Sequence, residues 1–350
     1  MNNNSETLRV LCFGVGAIGT YVGGSLALAG CEVVFIERPA LVETLLKKGL
    51  HLGLPVGEKV VEHPTIVLSI QEALATGKFD VAILAIKSFD TASFIEEILP
   101  FLGSIPPILC LQNGVDNEPA LEKALGKEKV IAGTVTTAIG RRDVGDIAVE
   151  RLRGIGVFSG HPISKRLVEK MDEAGLKPEL IPDAAAMKWS KMVTNLIANA
   201  SSAILDMTPA EIFKHPGLFE IEIRQLHEVL AVMEKKNIKV IDLPGTPVKL
   251  LAWAVKALPL AISRPLLAKA VGGGRGGKMP SFHIDLYSGR GVSEIDYLNG
   301  AVVRNGKQAG VATPVNALLT EILLGMTRGE IDKAEYAHQP ENLIALANHL

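Results

Sequence analysis

At 350 residues the chain is long enough for two domains, each with its own core. Its 36 Lys and Arg against 38 Asp and Glu leave a formal net charge of −2, which gives no reason to expect nucleic acid or another polyanion as a partner. The composition is apolar, rich in glycine and poor in aromatics, which excludes fibrous and disordered classes and suits an α/β enzyme.

Cys12, Cys31 and Cys110 form neither a CxxC pair nor an even framework, so they read as buried apolar residues in a reducing compartment. The opening MNNNSET lacks the basic start of a signal peptide. The apolar stretch 250–262 is interrupted by Lys256 and Pro259 and is too short to span a bilayer. These features point to a soluble cytoplasmic protein with no membrane partner.

Residues 8–13, LRVLCF, read as a short buried strand running into Gly14-Val15-Gly16-Ala17-Ile18-Gly19. A helix follows and ends near Gly30, and a second apolar strand covers 32–36. This is a complete β–turn–α–β unit of the Rossmann dinucleotide type. Gly14 permits the tight turn, Gly16 lets the backbone approach a pyrophosphate, and Gly19 lets the helix pack closely on the strand. The helix N-terminus, with Ala17 and Ile18, then offers its N–H groups to the phosphates. At the end of the second strand, Glu37 is the kind of residue that accepts from a ribose 2′-OH and favours NADH. Arg38 beside it can pair with a 2′-phosphate, and the reading taken here is NADPH through Arg38.

Residues 51–67 look like short strands and turns punctuated by Gly53, Pro55, Gly57 and Pro64. The runs 79–86 (FDVAILAI) and 107–111 read as central parallel strands. They end in Lys87-Ser88 and in Gln112-Asn113-Gly114, where ligands sit in doubly wound sheets. Asn113 could touch nicotinamide, ribose or substrate, or Asn113-Gly114 could be only a turn. A β-rich run follows at 130–139. Residues 148–151 and 154–158 are expected to finish the edge of the sheet, and 163–173 a helix, with Pro178 and Pro182 at a domain boundary. The expected division is a nucleotide-binding domain over 1–182 and an all-helical domain over 183–350.

In the second domain, residues 188–202 read as one helix. Trp189, Met192, Val193, Leu196, Ile197 and Ala200 form its apolar stripe. Lys191, Asn195 and Asn199 are spaced i, i+4, i+8. Each step of four overshoots a full turn by about 40°, so a cation and two amides share one side, a set suited to a small polar substrate. Lys188, one turn earlier, is a rival to Lys191. Residues 218–236 read as a long amphipathic helix without functional groups. Residues 244–277 form an apolar, proline-broken segment with a glycine run, either a helix pair and loop or a dimer contact. Residues 281–296 are polar and glycine-punctuated, 297–309 and 313–326 are helices, and the rest is a peripheral tail.

The motifs GVGAIG, IKSFD, LQNGVDN, WSKMVTNLIAN, PSFHID, SEIDYLNG and GVATPVN, in this order and over nearly the whole chain, resemble those of the ketopantoate reductases (2-dehydropantoate 2-reductases). The resemblance implies an N-terminal Rossmann domain, a helical C-terminal domain, and NADPH-dependent reduction of ketopantoate to pantoate on the way to pantothenate and coenzyme A. By motif, Lys191 corresponds to the general acid and Glu294 to a carboxylate that holds and orients substrate. Asn195 and Asn199 correspond to amides for the substrate hydroxyl, Ser281 to a contact for its carboxylate, and Lys87 and Asn113 to residues that meet cofactor and substrate. Two departures bear on the substrate: one extra residue between Asp285 and Glu294, and an enlarged 244–277 segment.

The chemistry is coherent on its own terms. As hydride reaches a carbonyl carbon, charge builds on the oxygen and a positioned acid must meet it. Lysine, with a reference pKa of about 10.4, serves if burial lowers it, and Glu294 would offset that fall. Another branched or hydroxylated 2-keto acid is the alternative substrate, and a non-catalytic NADP-binding sensor is the alternative function. No HExxH, GxSxG or P-loop occurs and no metal site is implied. A homodimer is compatible with the sequence.

Overall fold

The computed structural model of the chain describes residues 7–275, 278–289 and 291–350. It divides into two compact units, Met1–Lys188 with Leu243–Thr246, and Trp189–Asp242 with Pro247–Leu350. The division therefore falls inside a helix, and a short loop of the second half of the chain returns to the first unit.

The first unit is α/β. In chain order it contains β1 (Arg9–Phe13), α1 (Ala17–Leu28), β2 (Glu32–Ile36), α2 (Pro39–Lys48), β3 (Leu50–Leu54), β4 (Gly57–Val61), β5 (Thr65–Val67), α3 (Ile70–Ala75), β6 (Val81–Leu84), α4 (Thr91–Ile98), β7 (Ile108–Cys110), α5 (Asn117–Leu125), β8 (Val130–Val135), β9 (Ala138–Asp143), β10 (Asp146–Arg151), β11 (Ile155–Phe158), α6 (Ser164–Glu173) and β12 (Pro178–Ile181). The main sheet runs β12-β11-β8-β7-β6-β1-β2-β5. All its pairings are parallel except β11 against β8. Its central strands β1, β6 and β7 are continuous apolar runs because helices cover both faces. Chain order reverses between β1 and β6, so their carboxyl ends open the crevice where such sheets take ligands.

One expectation about this unit is corrected. Residues 148–151 do not finish the main sheet. They lie in β10, which pairs with β9 and β3 in a separate sheet ordered β4-β3-β10-β9. Arg142 on β9 stitches that sheet, with its guanidinium 2.8 Å from Glu58 and 2.7 Å from Asp146. The segment that opens with Pro178 is an edge strand of the main sheet. Pro178 opens β12, a position where a missing N–H costs no ladder bond.

The second unit is helical. Its elements are α7 (Ala184–Leu196, whose first turn lies in the first unit), α8 (Asn199–Leu205), α9 (Pro209–Lys214), α10 (Pro216–Lys235), α11 (Val248–Ala257), α12 (Leu260–Arg275), α13 (Ser281–Tyr287), α14 (Asn299–Ala309), α15 (Pro314–Arg328) and α16 (Pro340–Asn348). The 20-residue α10 is the hub against which α9, α11, α14, α15 and α16 pack.

The expected single helix over 188–202 is broken. Its apolar stripe is buried except for half-buried Ile197, but α7 stops at Leu196 and Ala198 takes a left-handed conformation, φ 50°. A buried glutamate from α10 causes the break. Glu222 accepts from Ala198 N at 2.7 Å and from Ser201 Oγ at 2.6 Å, supplanting the helical partner of the Ala198 N–H. The polar stretch after Pro280 opens with a helix over 281–287. The peripheral tail carries α16, anchored by Arg224, whose Nη1 donates to Ala347 O at 2.8 Å.

Candidate functional site

Each unit carries one cluster of the expected residues. In the first, the glycine turn is built for close approach of a ligand. Gly14 has φ +90°, open to glycine at little cost, and its N–H donates to Ile36 O at 3.0 Å, fixing the turn to β2. A Cβ on Gly19 would sit 1.9 Å from Gly14 O, so helix and turn touch backbone to backbone. A Cβ on Gly16 would meet nothing within 4 Å. Packing therefore explains glycine at 19 but not at 16, where the space is left for something outside the chain. Gly16 caps α1 with no side-chain hydrogen bond, and the first turn holds no acid. The N–H groups of Ala17, Ile18 and Gly19 with the helix dipole thus suit an anion such as a pyrophosphate.

A cavity of about 230 Å³ adjoins the turn, lined by Gly14, Glu37, Arg38, Asp90 and Ile86 among others. Glu37 is tied to backbone on both oxygens, accepting from Val15 N at 2.7 Å and from Arg38 N at 2.8 Å. The Arg38 side chain is 75% exposed and its Nη2 lies 3.2 Å from Asp90 Oδ2.

At the carboxyl ends of β6 and β7, a buried amide–hydroxyl network holds Lys87 and Asn113 by their backbones. Gln112 Nε2 donates to Lys87 O at 3.2 Å and to Thr91 Oγ1 at 2.9 Å. Asn117 Nδ2 and Ser88 Oγ both donate to Asn113 O, at 2.6 and 2.9 Å. Gly114 has φ +98°, so Asn113-Gly114 is a tight turn, and it leaves the Asn113 side chain exposed. Gln112, Thr91 and Asn117 were missed in the sequence. Each is a polar residue beside an apolar strand or at a helix start, and no periodic signal marks them.

Lys188 is part of this unit, and its surroundings decide its role. Its Nζ lies 2.7 Å from Glu118 Oε1 and donates to Gln112 O at 2.6 Å and Gly133 O at 3.2 Å. Both ionic side chains are over nine-tenths buried. A lysine so engaged braces the start of α7 against α5 and the ends of β7 and β8.

In the second unit, α7 buries Met192, Val193 and Leu196 and presents Lys191, Thr194 and Asn195 as its half-buried face. Thr194 Oγ1 donates to Lys191 O at 2.8 Å. Asn199, across the helix break, remains joined to this face because its Nδ2 donates to Asn195 O at 3.1 Å. The same amide reaches Ser281 Oγ at 3.4 Å, and its Oδ1 accepts from Phe282 N at 3.1 Å. Asn199 is thus buried and engaged at both ends, linking Asn195 to the start of α13. Glu294 is also buried, at the head of a short 3-10 turn (Glu294–Tyr297) that packs on α14 and α15. The structure brings Asn195, Asn199 and Ser281 together in one chain of contacts.

Comparison with known proteins agrees over both halves. The family model described as Ketopantoate reductase PanE/ApbA matches residues 10–158, and its C-terminal counterpart matches 183–327. The chain belongs to the ketopantoate reductase family. A 2-dehydropantoate 2-reductase of Archaeoglobus fulgidus is 26% identical over 92% of this chain and 98% of its own. One from Lactococcus lactis is 26% identical over 90% and 97%. Among solved structures, a PanE/ApbA family ketopantoate reductase from Ralstonia eutropha superposes with a TM-score of 0.77 at 25% identity, covering 92% of this chain and 99% of that one. A ternary structure of D-mandelate dehydrogenase with NADH and anilino(oxo)acetate shares the fold, with a TM-score of 0.74 at 24% identity over 92% and 99%.

Among the described residues there is no cluster of three metal ligands, and no helix is long and apolar enough to cross a membrane. The three cysteines are free and buried.

The α10 helix carries a buried polar spine of the second unit. Gln225 Nε2 donates to Glu222 Oε2 at 2.7 Å and Gln225 Oε1 accepts from Asn299 Nδ2 at 3.2 Å. Glu228 accepts from Val315 N and Asn316 N at 2.8 and 2.9 Å. Glu222, Gln225 and Glu228 follow one another at steps of three, on the side of the helix that also carries Leu226 and Val229.

Proposed function

We propose that the chain reduces ketopantoate to pantoate with NADPH. The observation that carries this reading is the face of α7, where Lys191 and Asn195 stand half-buried on a helix whose other faces are core, with Asn199 linking that face to Ser281. A solvated helix face would have no reason for a buried amide behind it. Support for a nicotinamide nucleotide comes from the open space at Gly16 and the uncapped N-terminus of α1, together with family membership. When bound, the reduced nicotinamide supplies a hydride to the C2 carbonyl carbon.

The chain's own residues do the rest. The Lys191 ammonium gives a proton to the carbonyl oxygen as negative charge develops there. Asn195 hydrogen-bonds the hydroxyl of the substrate, with Asn199 keeping that amide and Ser281 in register. Ser281 hydrogen-bonds the substrate carboxylate, and Glu294 orients the substrate. Arg38 meets the 2′-phosphate of NADPH, and Lys87 and Asn113 meet the nicotinamide half of the nucleotide and the substrate.

A different branched or hydroxylated 2-keto acid is the second reading. It is favoured by the extra residue before Glu294 and by Gly289 and Gly291, both at positive φ, between α13 and the Glu294 turn. Turnover of NADPH with ketopantoate, measured against a panel of 2-keto acids, tests both. A preference for ketopantoate upholds the first reading, and a preference for another acid replaces it with the second. Tight NADPH binding without turnover of any acid would instead mark a sensor.

A further inference from the structure

We infer that Asp90 is a specificity-determining residue that restrains the preference for NADPH over NADH by competing with the 2′-phosphate for Arg38. The inference rests on the nicotinamide-nucleotide reading and deepens it. Asp90 stands at the N-cap of α4, where an aspartate ordinarily accepts from its own helix. Here it does not. The preceding 3-10 turn (Ser88–Asp90) leaves it at φ −90°, ψ −2°, and it makes no side-chain cap. Its carboxylate turns instead to Arg38 Nη2 at 3.2 Å. Arg38 and Asp90 both line the cavity beside the glycine turn, with Glu37 and Glu97. That wall carries one guanidinium against three carboxylates.

A 2′-phosphate brings close to two negative charges to such a wall. To engage Arg38 with its planar fork it competes with Asp90 for Nη2 and meets a carboxylate beside it. An unphosphorylated ribose meets neither obstacle. Its hydroxyls can donate to Glu37, whose oxygens each accept one backbone N–H and keep a lone pair. Asp90 therefore penalises NADPH and leaves NADH untouched. Because the Arg38 side chain is 75% exposed, the penalty is modest and depends on ionic strength.

The test is direct binding of NADPH and NADH to the purified full-length protein by titration calorimetry, without substrate. Wild type is compared with Asp90→Asn, Arg38→Ala and the double variant. We expect Asp90→Asn to tighten NADPH about three- to tenfold and to leave NADH within about twofold, with the gain shrinking as salt rises. In the Arg38→Ala background the gain for NADPH should be smaller, because the competition for the guanidinium is gone. An unchanged NADPH/NADH ratio in Asp90→Asn, or an equal shift for both nucleotides, would overturn the inference while leaving the nucleotide reading intact. Failure of wild type to bind either nucleotide would overturn both.

Discussion

Lys188 Nζ lies 2.7 Å from Glu118 Oε1, both side chains over nine-tenths buried, and the same ammonium holds the carbonyls of Gln112 and Gly133. The pair ties the start of α7 to the ends of β7 and β8 and to α5. Removing one partner strands a buried charge. Lys188→Ala should therefore lower the unfolding free energy by about 3–5 kcal/mol, read by denaturant melts. Replacing both residues with apolar ones of similar size should recover much of the loss. A Lys188→Ala protein as stable as wild type would show that the brace carries no weight.

The glycine turn separates folding from binding. Gly19→Ala places a Cβ 1.9 Å from Gly14 O and should cost about 1–3 kcal/mol or more in stability. Gly16→Ala meets open space in an ordinary extended conformation, φ −74° and ψ −169°, so stability should stay within about 0.5 kcal/mol. Its nucleotide affinity should nevertheless fall about tenfold or more, because the methyl occupies the approach of the pyrophosphate. Calorimetric binding beside a melt distinguishes the two effects.

The start of α9 is a capping box. Thr208 Oγ1 accepts from Glu211 N at 3.3 Å, and Glu211 Oε2 accepts from Thr208 N at 2.8 Å. The hydrogen bonds from Thr208 hold the Glu211 carboxyl below its ordinary value of 4.5. Its contribution to stability is thus complete above that value and is lost as pH falls through the lowered one. Glu211→Gln should melt lower than wild type at pH 7, and the gap should close on acidification below 4.5. Thr208→Ala should cost about 1 kcal/mol. A gap that persists at low pH would contradict this account.

Cys12 is fully buried beneath the glycine turn, and burial with the nearby Glu37 charge pushes its thiol up to about 12. Burial raises the Cys31 and Cys110 thiols as well. Thiol-disulfide reagents at pH 8 should leave the native protein unlabelled and label all three cysteines once it is unfolded. Rapid labelling of the native protein would contradict the burial.

The glycine pattern, the apolar runs of β1, β6 and β7 and the α7 stripe were legible in the sequence because each is a local period. The break after Leu196 was not. It depends on Glu222, which lies 24 residues from Ala198 and turns a would-be helical N–H to itself. The bracing role of Lys188 was hidden for the same reason, since Glu118 and the carbonyls that claim it come from distant strands and helices. The polar groups of α10 were hidden because buried and solvated faces of an amphipathic helix differ only in what packs on them. β12 was masked by prolines that an edge strand tolerates.

The most direct test of the central claim follows NADPH absorbance with ketopantoate for wild type and Lys191→Ala, with melting temperatures taken on both. The account predicts brisk oxidation by wild type, a loss of about 10²-fold or more in kcat for the variant, and unchanged melting, because Lys191 lies on the half-buried face of α7 rather than in the core. A Lys191→Ala enzyme that turns over as fast as wild type would contradict the assignment of the acid.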